Sequence, residues 1–258
     1  MIWSKMTIRE RVEALTGSWP YIYKCQLVAH DYLFFSSRGF RDTKVSDYIG
    51  NYALMYAINR NVAQIQRNAA GTTPFYDQDM KKVRIYTTPA FASTDPKVPM
   101  AINNWIPWEN QQPTYITFNS VNTITQSTEN SRLNLPQIGR KSKFPPLNSF
   151  QFFAIGANPS GLIRLGKKQV PCRVFAEQLY IRELSSKIFH PDHPINMDDL
   201  KEIQPSAIKS GQLIKQNTAI LVNAHIDAEH YICTDNTNKT YNVLKPDTYK
   251  YPDVSFAQ

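Results

Sequence analysis

The segment GLIRLGKKQVPCRV, residues 161–174, concentrates residue types that bind phosphate groups. Its spacing does not match the phosphate-binding loop of an NTPase, G-x-x-x-x-G-K-S/T, or the dinucleotide-binding motif G-x-G-x-x-G. Read as two strands joined by a tight turn, the segment predicts a surface that follows phosphates. The basic side chains of this surface are Arg164, Lys167, Lys168 and Arg173. The alternative is an exposed hairpin that its lysines keep soluble.

Positive charge is concentrated around this segment. The chain has 258 residues, with 29 Lys and Arg against 21 Asp and Glu, a net charge of +8. Residues 130–176 contain no Asp or Glu, so the window by itself carries the whole excess. A local positive field of this kind is typical of proteins that bind nucleic acid. The alternative is a mixed-sign surface whose acids come from elsewhere in the chain. The basic residues of the window are Arg132, Arg140, Lys141, Lys143, Arg164, Lys167, Lys168 and Arg173.

Three aromatic residues lie in or beside polar, proline-interrupted segments of the same region: Trp105, Trp108 and Phe144. Proteins that bind single-stranded nucleic acid combine basic grooves with aromatic rings on which bases stack. The three residues are therefore candidates for stacking. Equally, they fit the role of buried anchors for an insertion.

The histidines do not predict a metal centre. His30 and Asp31 are adjacent on a predicted strand, where successive side chains point to opposite faces and cannot chelate one ion together. His190 and His193 stand in an H-x-x-H spacing between prolines, and no further Cys or His follows at zinc-finger spacing. We expect a strand end and a rigid loop, and neither a metal nor another cofactor.

No nucleophile motif of the G-x-S-x-G type is present, and no cysteine has a catalytic context. A metal-independent ribonuclease needs only a positioned acid or base and a cation for the developing charge. His30, Tyr32 and a nearby lysine permit this chemistry, although their spacing does not demand it.

The composition is that of a cytosolic protein. The three cysteines, Cys25, Cys172 and Cys233, are odd in number and far apart, which indicates a reducing compartment. The first residues carry charges throughout and do not resemble a secretory signal. No segment reaches the roughly 18–20 apolar residues that cross a bilayer, so we expect no membrane contact.

The elements that position these residues follow from periodicity. Strands are predicted at 21–30, 82–90, 114–118 and 149–156, in residues 161–168, and near the C-terminus. A helix capped by Ser46 is predicted from Asp47 to about Ala69, and a short one at MDDLKEI, residues 197–203. Residues 173–184, RVFAEQLYIREL, fit either a strand or a helix.

This order predicts an α+β fold: an antiparallel sheet with helices on one face, of which the ferredoxin-like (RRM-like) arrangement is the simplest form. Residues 1–20 are expected to be an N-terminal extension, and residues 21–258 a single domain. Residues 91–150 are rich in Pro, Asn and Gln and sparing in charge, which predicts a long insertion.

Three stretches carry a family resemblance: YIYKCQLVAHDYLFFSSRGF, then VSDYIGNYALMYAINR with the strand VRIYTTPA, and later PSGLIRLGKK. The chain resembles the Csc-one family, the Cas-five-type subunit of the type I-D CRISPR interference complex (Cascade). Residues 21–60 carry the closest likeness, and it resumes at the I-R-L-G-K segment.

The resemblance implies a repeat-associated (RAMP) fold and a prokaryotic, cytoplasmic subunit without catalysis of its own. Such a subunit holds the 5′ handle of the guide RNA (crRNA), caps the filament of Cas-seven-type backbone subunits and abuts the Cas-ten-like large subunit. Target DNA near the protospacer-adjacent motif is a further candidate partner. Arg164, Lys167, Lys168 and Arg173 would then contact handle phosphates. Arg38 and Arg41 are secondary candidates for RNA or a neighbouring subunit, and residues 91–150 for a thumb-like element.

Two other functions stay open on the sequence alone. The first is a metal-independent endoribonuclease that matures the repeat transcript, since Cas-five proteins of one other subtype do so. The second is a metal-dependent hydrolase that uses His30, Asp31, His190 and His193, for which we expect no bound metal.

Overall fold

A computed structural model describes residues 20–33, 42–43, 48–62, 83–92, 114–121, 136–144, 146–166, 169–200, 205–215 and 219–246. These residues form sixteen strands, one α-helix and two short 3-10 helices. The strands are β1 Ile22–Ala29, β2 Asp42–Thr43, β3 Tyr48–Ile49, β4 Ile85–Thr87, β5 Ala90–Ala92, β6 Thr114–Val121, β7 Pro136–Lys143, β8 Ser149–Gly156, β9 Gly161–Leu165, β10 Val170–Ser185, β11 Ile188–Phe189, β12 Ile195–Asn196, β13 Ile208–Lys215, β14 Ala219–Asp227, β15 His230–Thr234 and β16 Thr240–Leu244. The helix α1 is Asn51–Val62, and the 3-10 helices are Met197–Leu200 and Pro205–Ala207.

The central sheet has nine strands in the order β16-β15-β10-β1-β8-β5-β3, with β4 also paired to β8 and β9 to β10. Strand β1 lies between β10 and β8 and is antiparallel to both. The 16-residue strand β10 is the longest, and it pairs with β1, β9 and β15. Pairing along both of its edges explains why the ambiguous segment 173–184 is a strand, because each pair satisfies its backbone groups.

One face of this sheet is packed over its whole central part. Directly paired residues of an antiparallel sheet point to the same face, so the registers place Leu27, Phe150 and Val174 together, and likewise Cys25 with Phe152. All five are buried in one hydrophobic cluster, which also contains Leu54 and Ile58 of α1. We call this side the covered face. The helix packs there because Leu54 and Ile58 are four positions apart and so share one helix face.

Asn59 links α1 to strand β4. Its side-chain Nδ2 donates hydrogen bonds to the Met55 carbonyl at 2.9 Å and the Ile85 carbonyl at 2.8 Å. Its Oδ1 accepts from the backbone N–H groups of Arg84 at 2.8 Å and Ile85 at 3.0 Å. The residue is fully buried, so each of these bonds replaces one with water.

A buried polar cluster joins the start of α1 to the segment around residue 199. The Asp199 Oδ2 accepts hydrogen bonds from Asn51 Nδ2 at 2.8 Å and from the Tyr86 hydroxyl at 2.7 Å. Asn196 Nδ2 donates to Asn51 Oδ1 at 2.8 Å. Because burial removes the carboxyl from water, the pKa of Asp199 is raised from its usual value to about 7.

Two smaller sheets complete the described structure. Strand β14 pairs with β11, β12 and β13, and its Leu221, Ala224 and Ile226 enter a separate hydrophobic cluster. Strands β2, β7 and β6 form a three-stranded sheet in which β2 and β7 are parallel.

The predicted antiparallel sheet is present: the described part of the chain is mostly antiparallel sheet, with a single α-helix where several helices were expected. The predicted strand 149–156 matches β8, and β1 lies within the predicted strand 21–30. The helix begins later than expected: Tyr48–Ile49 form a strand that pairs with β5, and α1 follows Gly50. The described residues contain one α-helix, and the short helix expected at 197–203 is a 3-10 turn, so the ferredoxin-like arrangement stays a prediction.

The interval predicted as an insertion contains β6 and β7, and residue 149 already begins a strand of the central sheet. The N-terminal extension, residues 1–20, lies outside the described residues except for Pro20. None of the described helices is both long and apolar enough to span a membrane.

Candidate nucleic-acid interface

Strands β9 and β10 form a hairpin that holds two of the predicted arginines on one face. Arg164 pairs with Pro171, and Leu162 pairs with Arg173, so alternate residues of the two strands place both arginines on the same side. Both side chains are exposed. Gly166, with φ of 71°, ends β9 where the chain must turn, and its carbonyl accepts a hydrogen bond from the Gln169 N–H at 3.1 Å.

Both guanidinium groups have a contact that orients them. The Arg164 Nη1 donates to the Gln169 carbonyl at 3.1 Å, and the Arg173 guanidinium lies 6.0 Å from the centre of the Phe175 ring. A guanidinium carries five N–H donors in a planar fork, so these contacts leave donors for a phosphate. The arginines are held on the hairpin and can still bind an anion.

The same face continues across the central sheet with polar and aromatic side chains. Phe175 pairs with Gln26 of β1, and Gln26 pairs with Gln151 of β8. All three are half-buried, in contrast to the residues of the covered face. We call Arg164, Arg173, Phe175, Gln26 and Gln151 the open patch. Arginine donors beside a partly exposed ring are the combination that binds single-stranded nucleic acid.

The open patch ends where the same sheet face becomes apolar. Ile22, Phe153 and Leu179 lie on this face in the register of β1, β8 and β10, and they are buried in a second hydrophobic cluster. Val28 and Ser149, which lie on this face in register with Arg173, are also buried. The accessible surface is therefore confined to the two arginines and the half-buried row of Phe175, Gln26 and Gln151.

Lysines near the C-terminal hairpin do not extend the patch. Lys24 Nζ donates to the Tyr241 hydroxyl at 2.9 Å, and Lys239 Nζ lies 5.3 Å from the centre of that ring. The Tyr241 hydroxyl donates in turn to Asp235 at 3.0 Å. Hydrogen bonds, first from the Thr237 side chain, lower the pKa of Asp235 to about 2. Its permanent negative charge offsets the lysines, so this end attracts an anion less than the arginine hairpin does.

The other predicted basic residues are distributed differently. Arg140, Lys141 and Lys143 lie on β7, in the three-stranded sheet and not in the sheet that carries Arg164 and Arg173. Lys167, Lys168, Arg38 and Arg41 lie outside the described residues, as do Trp105 and Trp108. For all of these residues, RNA contact or base stacking stays a prediction.

Phe144 requires a correction. Its side chain is fully buried, and its ring meets Phe150 edge-to-face with the ring centres 5.0 Å apart. The backbones of Phe144 and Leu33 exchange two hydrogen bonds of 2.9 Å. Because protein encloses the ring, Phe144 has no face on which a base could stack, and the alternative of a buried anchor applies.

The two histidines of the H-x-x-H pair have different surroundings. His193 is buried; its Nδ1 donates to the Pro194 carbonyl at 2.8 Å, and its Nε2 accepts the Leu244 N–H at 3.1 Å. Burial lowers the pKa of His193 to about 4, which keeps the ring neutral. His190 is exposed, and its ring lies 5.3 Å from that of His225. Since both His193 nitrogens are bonded to backbone, the four-residue metal centre considered above is not assembled.

Sequence reasoning missed Phe175, Gln26 and Gln151. Alternation within RVFAEQ contained the signal for Phe175, since Arg173 and Phe175 are two positions apart on a strand. That signal was lost because the segment also fits a helix. The glutamines carry no motif, and only the pairing of β1 with β10 and β8 brings them beside Phe175.

Among the comparisons with known proteins, the family model agrees with the sequence resemblance. No curated protein matches the sequence. Among solved structures, the chain is similar to a chain in the cryo-EM structure of the Type III-B Cmr-beta bound to cognate target RNA and AMPPnP, state 1. The TM-score is 0.46 at 9% identity, over 79% of this chain and 85% of that chain. The model of the family described as Type I-D CRISPR-associated protein Cas5/Csc1 matches residues 20–253. The chain therefore belongs to the Cas5/Csc1 family of type I-D CRISPR-associated proteins.

Proposed function

We propose that this protein is the non-catalytic guide-RNA-binding subunit of a type I-D Cascade complex in antiviral DNA interference. In this role it holds the 5′ handle of the crRNA, caps the filament of Cas-seven-type subunits and contacts the Cas-ten-like large subunit. Target DNA near the protospacer-adjacent motif is a further partner in the proposal.

The observation that carries the RNA part is the open patch. Two exposed arginines and a half-buried aromatic ring lie on one face of a hairpin whose opposite face is packed into the core. Guanidinium groups pair with phosphates, and an exposed ring face accepts an unstacked base. Family membership supports the partner part of the proposal.

We include further basic residues in the proposed RNA-binding surface because of their positions in the sequence. Lys167 and Lys168 lie between Arg164 and Arg173 in the sequence, and we assign them to handle phosphates. Arg140, Lys141 and Lys143 of β7 are assigned to RNA on a thumb-like element of a RAMP fold. Arg38 and Arg41 are assigned to RNA or a neighbouring subunit.

The test is co-expression of the complete chain with its neighbouring effector subunits and a repeat-spacer transcript, followed by purification through a tag on this chain. We expect mature guide RNA to be recovered together with the other subunits. The double variant Arg164→Glu/Arg173→Glu should recover markedly less RNA, whereas Lys187→Glu, an exposed lysine away from the hairpin, should behave like wild type. Equal recovery of RNA by both variants would contradict the assignment of the open patch.

One structural observation supports the endoribonuclease alternative. His30 is exposed at the end of β1, and its N–H donates to the Pro171 carbonyl at 2.9 Å, which places it beside the arginine hairpin. If His30 were a general acid or base, the purified chain would cut repeat RNA without metal, and His30→Ala would abolish cleavage while RNA binding remained. We expect no cleavage by the wild-type chain.

A further inference from the structure

A single row of side chains crosses the central sheet and is not explained by phosphate binding. It runs from Phe175 on β10 through Gln26 on β1 and Gln151 on β8 to Phe91 on β5. Each neighbouring pair is directly opposite in the strand register, so all four side chains lie on the face of the open patch. Tyr48 of β3 pairs with Phe91 and continues the row. We call the first four residues the glutamine row.

The chemistry of the row is unusual for the middle of a sheet. The neighbouring rows on the covered face contain Cys25, Leu27, Phe150 and Phe152, all buried. The members of the glutamine row are all half-buried, and the two central ones are amides. No hydrogen bond joins either amide to another side chain or backbone group of the described residues. Two amides at the centre of a sheet face that have no partner among the described residues are candidates for binding a ligand.

We propose that the glutamine row binds unstacked bases of single-stranded RNA. This proposal rests on the proposed function and specifies how the open patch reads RNA. Phe175 and Phe91 are the stacking platforms at the two ends. Gln26 and Gln151 lie between them, with donors and acceptors for base edges.

The two aromatic rings of the row are too far apart to hold the same base. Phe175 and Phe91 are three strand-to-strand steps apart, about 14 Å at about 4.8 Å per step. One base cannot contact both rings, so the row accommodates more than one nucleotide. The bound RNA must be single-stranded and unstacked here, because a base in a duplex exposes neither its ring faces nor its pairing edge.

The polar groups provide contacts to base edges. A glutamine amide presents one donor group and one acceptor, and it pairs in a bidentate way with adenine N6 and N7 or with uracil O4 and N3–H. Arg173, whose guanidinium lies 6.0 Å from the Phe175 ring centre, is placed for the phosphate of the base stacked there. The row therefore accepts either adenine or uracil between the two platforms.

The test is fluorescence anisotropy with the complete chain and unstructured RNA oligonucleotides of equal length, oligo(A) and oligo(U), at several salt concentrations. Phe175→Leu should weaken binding of both by about five-fold or more, the loss expected for one stacked base. It should leave the salt dependence unchanged because it removes no charge. Gln26→Ala should also weaken binding of both, because an amide pairs with either base, and it should likewise leave the salt dependence unchanged.

Two controls lie on the opposite face of the same strand, β10. Tyr180→Leu removes an aromatic ring that is 50% exposed, and Gln178→Ala removes an exposed amide. Residues 178 and 180 alternate with the buried Leu179, which shares the face of Phe175. Neither control should change the affinity for either RNA.

The outcomes distinguish the two proposals. If Arg164→Glu/Arg173→Glu weakens binding but Phe175→Leu and Gln26→Ala do not, the glutamine row is wrong and the arginine hairpin stands. If the arginine variant also binds like wild type, the proposed function of the open patch fails. Circular dichroism of each variant, compared with wild type, shows that loss of binding is not loss of folding.

Discussion

The two faces of strand β10 have different roles, although their residues alternate along one segment. Cys172 and Val174 point to the covered face, where they pack with β1, β8 and helix α1. Arg173 and Phe175 point to the other side and lie in the open patch. The same alternation that builds the core therefore presents a binding surface without additional loops. Each prediction below tests whether stability belongs to the covered face and RNA binding to the open patch.

The largest effect on stability is expected for a ring of the covered face. Phe152→Ala should lower the free energy of unfolding by about 3–5 kcal/mol, because Phe152 is fully buried and the core cannot fill the cavity. Phe175→Ala, in the open patch, should cost clearly less, since Phe175 is already partly in water. Urea denaturation of both variants measures the difference. Equal losses would show that the open patch is as much a part of the core as the covered face.

The next effect concerns the attachment of α1 to the sheet. Asn59→Ala should destabilise the protein by about 2–4 kcal/mol, because buried carbonyl and N–H groups of Met55, Arg84 and Ile85 lose a partner. Asn158→Ala, in an exposed turn, is the control and should change little. A loss of less than about 0.5 kcal/mol for Asn59→Ala would mean that water replaces these bonds readily.

The buried carboxyl of Asp199 should make stability depend on pH. Its folded pKa is raised from 3.8 to about 7, so the folded state binds a proton more tightly than the unfolded state. This contribution is fully present below pH 3.8, decreases as the pH rises and is lost above about 7, with a slope of at most about 1.4 kcal/mol per pH unit. The groups around it that titrate are Tyr52, Tyr86 and Asp198.

Asp199→Asn should flatten the dependence between pH 5 and 7, as measured by urea denaturation at each pH. His193 is the internal comparison, because its pKa is lowered to about 4 and its contribution is lost as the pH falls below 6.5. An unchanged slope in the Asp199 variant would assign the pH dependence to other groups.

The smallest effect on stability is expected in the open patch. Arg173→Gln should change the free energy of unfolding by no more than about 0.5 kcal/mol, as is usual for exposed positions. It should nevertheless reduce the slope of log affinity against log salt by about 0.7, the value for one phosphate contact with single-stranded nucleic acid. An unchanged slope would mean that Arg173 contacts no phosphate. A large loss of stability would mean that the open patch is a structural element.

Sequence alone predicted the parts of the structure that depend on local patterns. Strand β8 could be predicted because SFQFFAIG is rich in aromatic and apolar residues and is followed by the turn segment ANPSG, and β1 because its apolar and polar residues alternate. The start of α1 could not be predicted in this way. Tyr48 and Ile49 suit either a helix or a strand, and they form a strand here because they pair with β5. The 3-10 helix Met197–Leu200 likewise depends on tertiary contacts such as that between Asp199 and Asn51.

For the candidate site, charge and position indicated Arg164 and Arg173, and the register places them on one face. Phe144 shows the limit of the approach, since proline and polar neighbours suggested exposure while contact with Phe150 buries the ring. Gln26 and Gln151 are 125 positions apart and meet only through the pairing of β1 with β8. Long-range pairing of this kind has no local signature.

The most direct test of the division between the faces is ultraviolet crosslinking of guide RNA in the assembled complex, followed by mass spectrometry of the crosslinked peptides. We predict crosslinks to the peptide that contains Phe175 and to neighbouring residues of the β9–β10 hairpin, carrying nucleotides of the 5′ handle. Their loss in Phe175→Leu, with crosslinks elsewhere retained, would assign them to that ring. Handle crosslinks confined to other parts of the chain, with none on β9 or β10, would contradict the central claim that the open patch binds the guide RNA.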